Sequence, residues 1–140
     1  MNIYFSCSIT GGRKDQSIYK VIVDHLLALG HEVPTAILAD AEVPALESVV
    51  EPRKVYERDM EWVKACDRLI AEVSTPSHGV GYEVAMALQM RKPVLCCYGR
   101  NYRVSKMITG NTHPAIKVLP YASEAELLAG IDRFLSRDIG

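Results

Sequence analysis

The sequence predicts an α/β fold built on one parallel sheet, and three features predict it. Short apolar runs rich in branched residues alternate with amphipathic stretches of helical period along the chain. Several runs end in polar, glycine-containing turns, such as residues 8–13 and 77–81, which is where such a sheet places its ligands. No linker, repeat or low-complexity stretch interrupts the alternation, so residues 1–140 are expected to form a single domain.

In chain order, residues 2–7 form a first strand and residues 8–13 a polar turn. Asp15 to Leu29 follows as an amphipathic helix, with Ile18, Val21, Ile22, Leu26 and Leu29 on one stripe and Gly30 as its stop. His31 to Thr35 is expected to be a short second strand. Residues 36–51 mix alanine, acidic residues and Pro44, and read as a loop or weak helix over the site, a candidate lid. Pro52 fits the first turn of a helix running to about Cys66. Asp67 to Val73 is the third strand, and the good helix formers of Val84 to Met90 continue a helix that has Glu83 one turn from its start. Pro93 to Tyr98 is the fourth strand, Val104 to Ile108 a short helix, and Ala115 to Leu119 the fifth strand. Ser123 to Leu135 is a terminal helix with Glu126 completing a capping box. Right-handed crossovers leave few layouts, and the order assigned is Rossmann/flavodoxin-like, 2-1-3-4-5. It brings the Ser8 turn and the Ser77 turn to one crevice.

Bulk properties exclude several functions. A chain of 140 residues with 49% hydrophobic and 24% charged residues has the makeup of an ordinary globular protein, burying about two-thirds of its unfolded surface. A net charge of -1 offers no electrostatic footprint for polymeric nucleic acid or an anionic membrane, so any nucleotide bound is a small molecule. Met1 to Phe5 lacks the flank and core of a signal peptide, and no apolar run approaches a membrane span. The expected location is the cytoplasm, or the nucleus in a eukaryote. Cys7, Cys66, Cys96 and Cys97 show no C-x-x-C spacing and read as reduced core residues. The four histidines have no ligand spacing, so neither a metal site nor a cofactor is expected.

The chemistry concentrates in Ser77-His78-Gly79-Val80-Gly81-Tyr82-Glu83. Two glycines clear side chains from a helix start whose N–H groups favour an anion, while Glu83 adds a carboxylate of its own. An anion beside a carboxylate suggests catalysis, although a solvated glutamate stabilising the helix dipole is the plainer alternative. Cleaving a glycosyl bond with retention needs a second carboxylate. Asp59 is the candidate, on one stripe with Tyr56, Met60 and Val63, where an aspartate is costly unless paired or functional. A structural Asp59 bonding a neighbouring loop is the alternative. Ser8, Ile9, Thr10, Gly11, Gly12 and Arg13 offer hydroxyls, backbone donors and a guanidinium in one bend, groups suited to phosphate. That turn lacks the G-K-[ST] ending of a P-loop, and Gly79-Val80-Gly81 lacks the third glycine of a dinucleotide fingerprint.

Four motifs together, residues 4–13, 57–62, 76–83 and 103–108, resemble the 2'-deoxynucleoside 5'-monophosphate N-hydrolases, relatives of the nucleoside 2-deoxyribosyltransferases. The resemblance spans nearly the whole chain in the same order. It implies that Glu83 is the nucleophile attacking C1' and that Asp59 handles the proton of the departing base. It implies that Tyr4 stands at the sugar and nucleophile, that Ser8, Ser77 and Gly79 contact phosphate, and that Ile9 lines the base pocket. Ser105, with Met107 nearby, would reach the phosphate in a neighbouring subunit, which implies a homodimer with shared sites.

Position 77 separates hydrolase from transferase. The transferases carry an aspartate there that holds a free 5'-hydroxyl, whereas Ser77 can donate to a phosphate that a carboxylate would repel. Thr10 stands where the hydrolases place an arginine, which leaves Arg13 or Lys106 to compensate. The expected activity is therefore hydrolysis of a nucleoside 5'-monophosphate to free base and (deoxy)ribose 5-phosphate. The alternatives are base exchange by a transferase and a non-catalytic nucleotide-binding module. Phosphoribohydrolases also use a glycine-turn glutamate, but the glycine-rich run they carry ahead of it is missing here.

Overall fold

The computed structural model describes residues 1–9, 16–39 and 48–137. Strands β1 (Ile3–Ser6), β2 (Arg68–Glu72), β3 (Val94–Gly99) and β4 (Ile116–Tyr121) form a parallel sheet in the order β1-β2-β3-β4. Tyr4 lies opposite Leu69, Leu69 opposite Val94, and Val94 opposite Ile116, so the register runs straight across the sheet. Helices α1 (Gln16–Ala28) and α5 (Glu124–Ser136) cover one face, while α2 (Pro52–Ala65) and α3 (His78–Gln89) cover the other. A 3-10 turn at Ala36–Ala39 follows α1, and the short α4 (Lys106–Thr109) follows β3.

The alternation of each strand sorts side chains into two cores. Phe5, Ile70, Leu95 and Cys97 pack with Tyr19, Ile22 and Leu26 of α1 and Leu127, Ile131 and Phe134 of α5. Tyr4, Leu69, Ala71, Val94 and Cys96 pack with Val63 of α2 and Val80, Val84 and Leu88 of α3. Both faces are covered, which is why these strands read as continuous apolar runs. Each large apolar side chain so buried contributes roughly 1.5–3 kcal/mol.

The expected second strand is a correction: among the described residues the sheet has four strands, not five. Residues 31–35 reach the predicted edge beside β1 but pair only through a single parallel bridge, Asn2 with Glu32. The Ile3 N–H donates to the Glu32 carbonyl at 2.8 Å, and the Glu32 N–H to the Met1 carbonyl at 2.9 Å. Pro34 has no N–H to continue the ladder. The Thr35 hydroxyl takes over, with Oγ1 accepting from the Phe5 N–H at 2.9 Å. A second correction concerns Leu29, expected on the buried stripe of α1 but 50% exposed. The helix ends at Ala28 and Gly30, at φ 85°, turns the chain away, leaving Tyr19, Ile22, Val23 and Leu26 as the buried residues. The capping box of α5 forms with a shift: Ser123 Oγ accepts from the Glu126 N–H, while the Glu126 carboxylate accepts from Ala122 rather than Ser123.

The chain leaves β1 toward residue 32 on one side and toward β2 on the other, so a crevice opens at the carboxyl ends of β1 and β2.

Candidate active site

That crevice holds a cavity of about 720 Å³. Cys7 and Ile9 line it from the end of β1, Ser77 to Glu83 from the start of α3, and Tyr56, Asp59 and Met60 from α2. Three elements distant in sequence thus meet there because β1 and β2 pair in register.

Glu83 lies half-buried on α3 above β1, where Tyr4 is 1% exposed. The Tyr4 hydroxyl donates to Glu83 Oε2. Burial pushes the Glu83 carboxyl up to about 8, and the phenol is a donor aimed at its ionised form. The helix beneath is anchored by Ser77, whose Oγ caps α3 by accepting from the Val80 N–H at 3.3 Å. A Cβ at Gly79 would lie 3.9 Å from both Ser77 Oγ and Glu83 Oε1. Glycine there keeps the approach to the carboxylate open.

Asp59 opens into the same cavity with its side chain 16% exposed. The neighbouring Arg58 donates from Nε to Asp59 Oδ1 at 2.9 Å, and its guanidinium lies 4.9 Å from the centre of the Trp62 ring. The carboxylate is therefore held by a cation that is itself seated on an aromatic face. At the rim, Tyr56 and Tyr82 meet edge to face with centroids 6.2 Å apart.

The predicted residues thus divide into four groups. Tyr4, Asp59, Glu83, Ile9, Ser77 and Gly79 come together at this cavity. Ser8, between Cys7 and Ile9, is fully buried. Ser105 and Met107 do not reach the cavity: they line a second one of about 450 Å³ on the far flank of α3, shared with Ser77, His78 and Tyr82. Ser105 caps α4, accepting from the Met107 N–H at 3.2 Å, and Met107 is 81% exposed. Thr10, Gly11, Gly12 and Arg13 lie outside the described residues, as does the 40–47 part of the proposed lid. Among the described residues no cluster of three or more metal-ligating side chains occurs, and no helix is long and apolar enough to cross a membrane.

Sequence reasoning missed Arg58 and the aromatic rim. Each adjoins a residue it did single out, Arg58 beside Asp59 and Tyr82 beside Glu83, but chain adjacency does not reveal which side chains turn toward a cavity.

A buried carboxyl bonded to a phenol, with a second carboxylate in the same cavity, has the parts of a retaining glycosyl-cleaving centre: a nucleophile and a proton-handling group.

Comparisons with known proteins agree with this chemistry. Residues 3–117 match the family model described as nucleoside 2-deoxyribosyltransferase. The chain is 38% identical over 141 residues to a 5-hydroxymethyl-dUMP N-hydrolase of Homo sapiens, covering 97% of this chain and 80% of that protein. The corresponding Rattus norvegicus protein is 39% identical over 138 residues, with 95% and 83% covered. Among solved structures, a CMP N-glycosidase of Clostridium botulinum superposes with a TM-score of 0.71 at 20% identity, covering 94% of this chain and 98% of that one, a likeness of fold.

Proposed function

Since this chain belongs to the nucleoside 2-deoxyribosyltransferase family, we propose that it hydrolyses the N-glycosidic bond of (2'-deoxy)nucleoside 5'-monophosphates, releasing free base and (deoxy)ribose 5-phosphate. The observation that carries this reading is the hydrogen bond from buried Tyr4 to Glu83, a carboxyl that lines one cavity with Asp59. Relatives named N-hydrolases of a deoxynucleoside monophosphate support it.

In the first step the Glu83 carboxylate attacks C1', the bond to the base nitrogen breaks, and Asp59 gives the departing base its proton. In the second, Asp59 takes a proton from water, which opens the glycosyl ester and restores Glu83. Protonating the base is worth about 10²–10⁴-fold. Tyr4 orients the nucleophile and favours its charged form. Ile9, with Met60 beside it, offers apolar surface to the base. Ser77 and Gly79 form the phosphate side, and Ser8, Thr10, Gly11, Gly12 and Arg13 are proposed as further phosphate contacts. Ser77 in place of a carboxylate favours nucleotides over nucleosides, and so hydrolysis over the base exchange of transferases.

The reading extends to a single domain over the whole chain, acting as a homodimer in the cytoplasm without a cofactor. Exposed Met107 and capping Ser105 on an apolar cavity support the dimer, in which Ser105 would serve the neighbouring site. The four cysteines are buried thiols, the form a reducing compartment maintains.

Chromatographic release of base from the four deoxynucleoside 5'-monophosphates, beside ribonucleotides and unphosphorylated deoxynucleosides, tests the function. Release from monophosphates is expected; exchange with nucleosides alone would make the protein a transferase, and silence throughout would leave a binding module. Glu83→Gln is expected to lower turnover by at least about 10³-fold while nucleotide still binds.

A further inference from the structure

Strand β2 ends in a carboxylate that the cavity does not use. Glu72 is fully buried, in a strand whose other interior positions are apolar. An ionisable group in such a place is costly unless its oxygens are bonded, and both are. Glu72 Oε1 accepts from the Ser74 N–H at 2.6 Å, and Oε2 accepts from the Tyr121 hydroxyl at 2.5 Å. Burial first, and then the Glu72 carboxylate, push the Tyr121 phenol far above its ordinary value, so it remains a donor.

The bond to Ser74 is local, from residue i to the N–H of i+2, and such bonds compete with a sheet ladder. Here it marks where β2 stops. The chain then turns through Val73 to Ser77, tied down as it goes: the Val73 N–H donates to the Cys97 carbonyl at 2.9 Å, and Ser74 Oγ accepts from the Gly99 N–H at 3.0 Å. The ends of β2, β3 and β4 are thus knotted around one carboxylate. The segment leaving the knot delivers Ser77, which caps α3 and lines the cavity.

We infer that Glu72 and Tyr121 are positioning residues for the phosphate side of the cavity, fixing Ser74 and through it Ser77 and the start of α3. The inference rests on the reading of this cavity as a nucleoside monophosphate site. An apolar residue at position 72 would leave the Ser74 N–H and the Tyr121 hydroxyl without these acceptors, and the turn would lose the group that sets its direction. Loss of the knot acts on phosphate contacts, whereas a loss of stability alone weakens phosphorylated and unphosphorylated ligands alike.

The test is calorimetric titration of thymidine 5'-monophosphate and of thymidine into Glu83→Gln protein, with and without Tyr121→Phe, below the melting temperature of each. Tyr121→Phe keeps the packed ring and removes one bond. The expected result is a Kd for the monophosphate raised about tenfold, with thymidine changed by less than about twofold. Glu72→Gln, which keeps the volume but replaces one acceptor oxygen, is expected to act in the same direction. Equal weakening of both ligands, or no change in either, would overturn the inference. If the Glu83→Gln protein binds thymidine as tightly as its monophosphate, the phosphate site itself falls and takes the inference with it. Phosphate-selective weakening in a protein whose wild type releases no base would uphold the inference and sink the hydrolase reading instead.

Discussion

Glu83 sits at a carboxyl pushed up to about 8 by burial, so in the free protein it loses its proton as pH rises through that value. A nucleophilic role makes kcat/KM climb with pH and level off above about 8, and a profile flat from pH 6 to 9 would contradict the role. Tyr4→Phe removes the donor to the charged form, which is expected to shift that limb upward and lower kcat/KM about tenfold or more. Stability carries the same sign: a carboxyl raised in the folded state stabilises below its unfolded value and loses that contribution as pH rises from 4.5 to about 8. The melting temperature of Glu83→Gln relative to wild type should therefore increase across that window. Arg58 is a second point of leverage. Seated on Trp62 and bonded to Asp59, it fixes the carboxylate proposed to protonate the base, and Arg58→Met is expected to lower kcat several-fold with little change in Kd for nucleotide. An unchanged kcat would mean that Asp59 holds its place without it.

At the scale of elements, the edge of β1 is closed by a side chain. Thr35 and Phe5 are both fully buried, and the hydroxyl of one is the acceptor for the N–H of the other. Thr35→Val preserves shape but strands that N–H, at a cost of about 1–3 kcal/mol. The denaturation midpoint should fall while Thr35→Ser stays close to wild type, and equal midpoints for all three would show the bond to be dispensable. This edge also marks a limit of legibility. The apolar runs announced β1 to β3, because strands covered on both faces carry little else, while β4 leaves Lys117 and Pro120 exposed. Residues 31–35 carry branched residues too, yet Pro34 breaks the ladder and a threonine hydroxyl replaces it. Branching at Cβ is the same signal whether a threonine extends a strand or ends one. Glu72 was hidden for a related reason: it stands inside a run read only as a strand, and its partner Tyr121 is 49 positions away.

Across the whole molecule, Glu83, Asp59 and Tyr4 were legible because their motifs carry chemistry that a helix or strand does not require. Their meeting was legible because the predicted reversal of direction at β1 occurs, carried by the Glu32 bridge rather than by a full strand. The aromatic rim of Tyr56 and Tyr82 was not, since their approach depends on how α2 leans against α3. Ser105 and Met107 stand on the far flank of α3, so their proposed phosphate role depends on the proposed dimer. Mixing Glu83→Gln with Ser105→Ala protein under subunit exchange should then regain activity, approaching one intact site in the mixed dimers. No gain over either variant alone would confine each site to its own chain. The Tyr4–Glu83 bond joins positions 79 residues apart, from the first strand to the helix after the second. A ribosome must have released most of the chain before that contact forms, so the half-made protein carries an untuned glutamate. The raised proton affinity of Glu83 is thus a property of the assembled fold, acquired only once β1 and α3 have met.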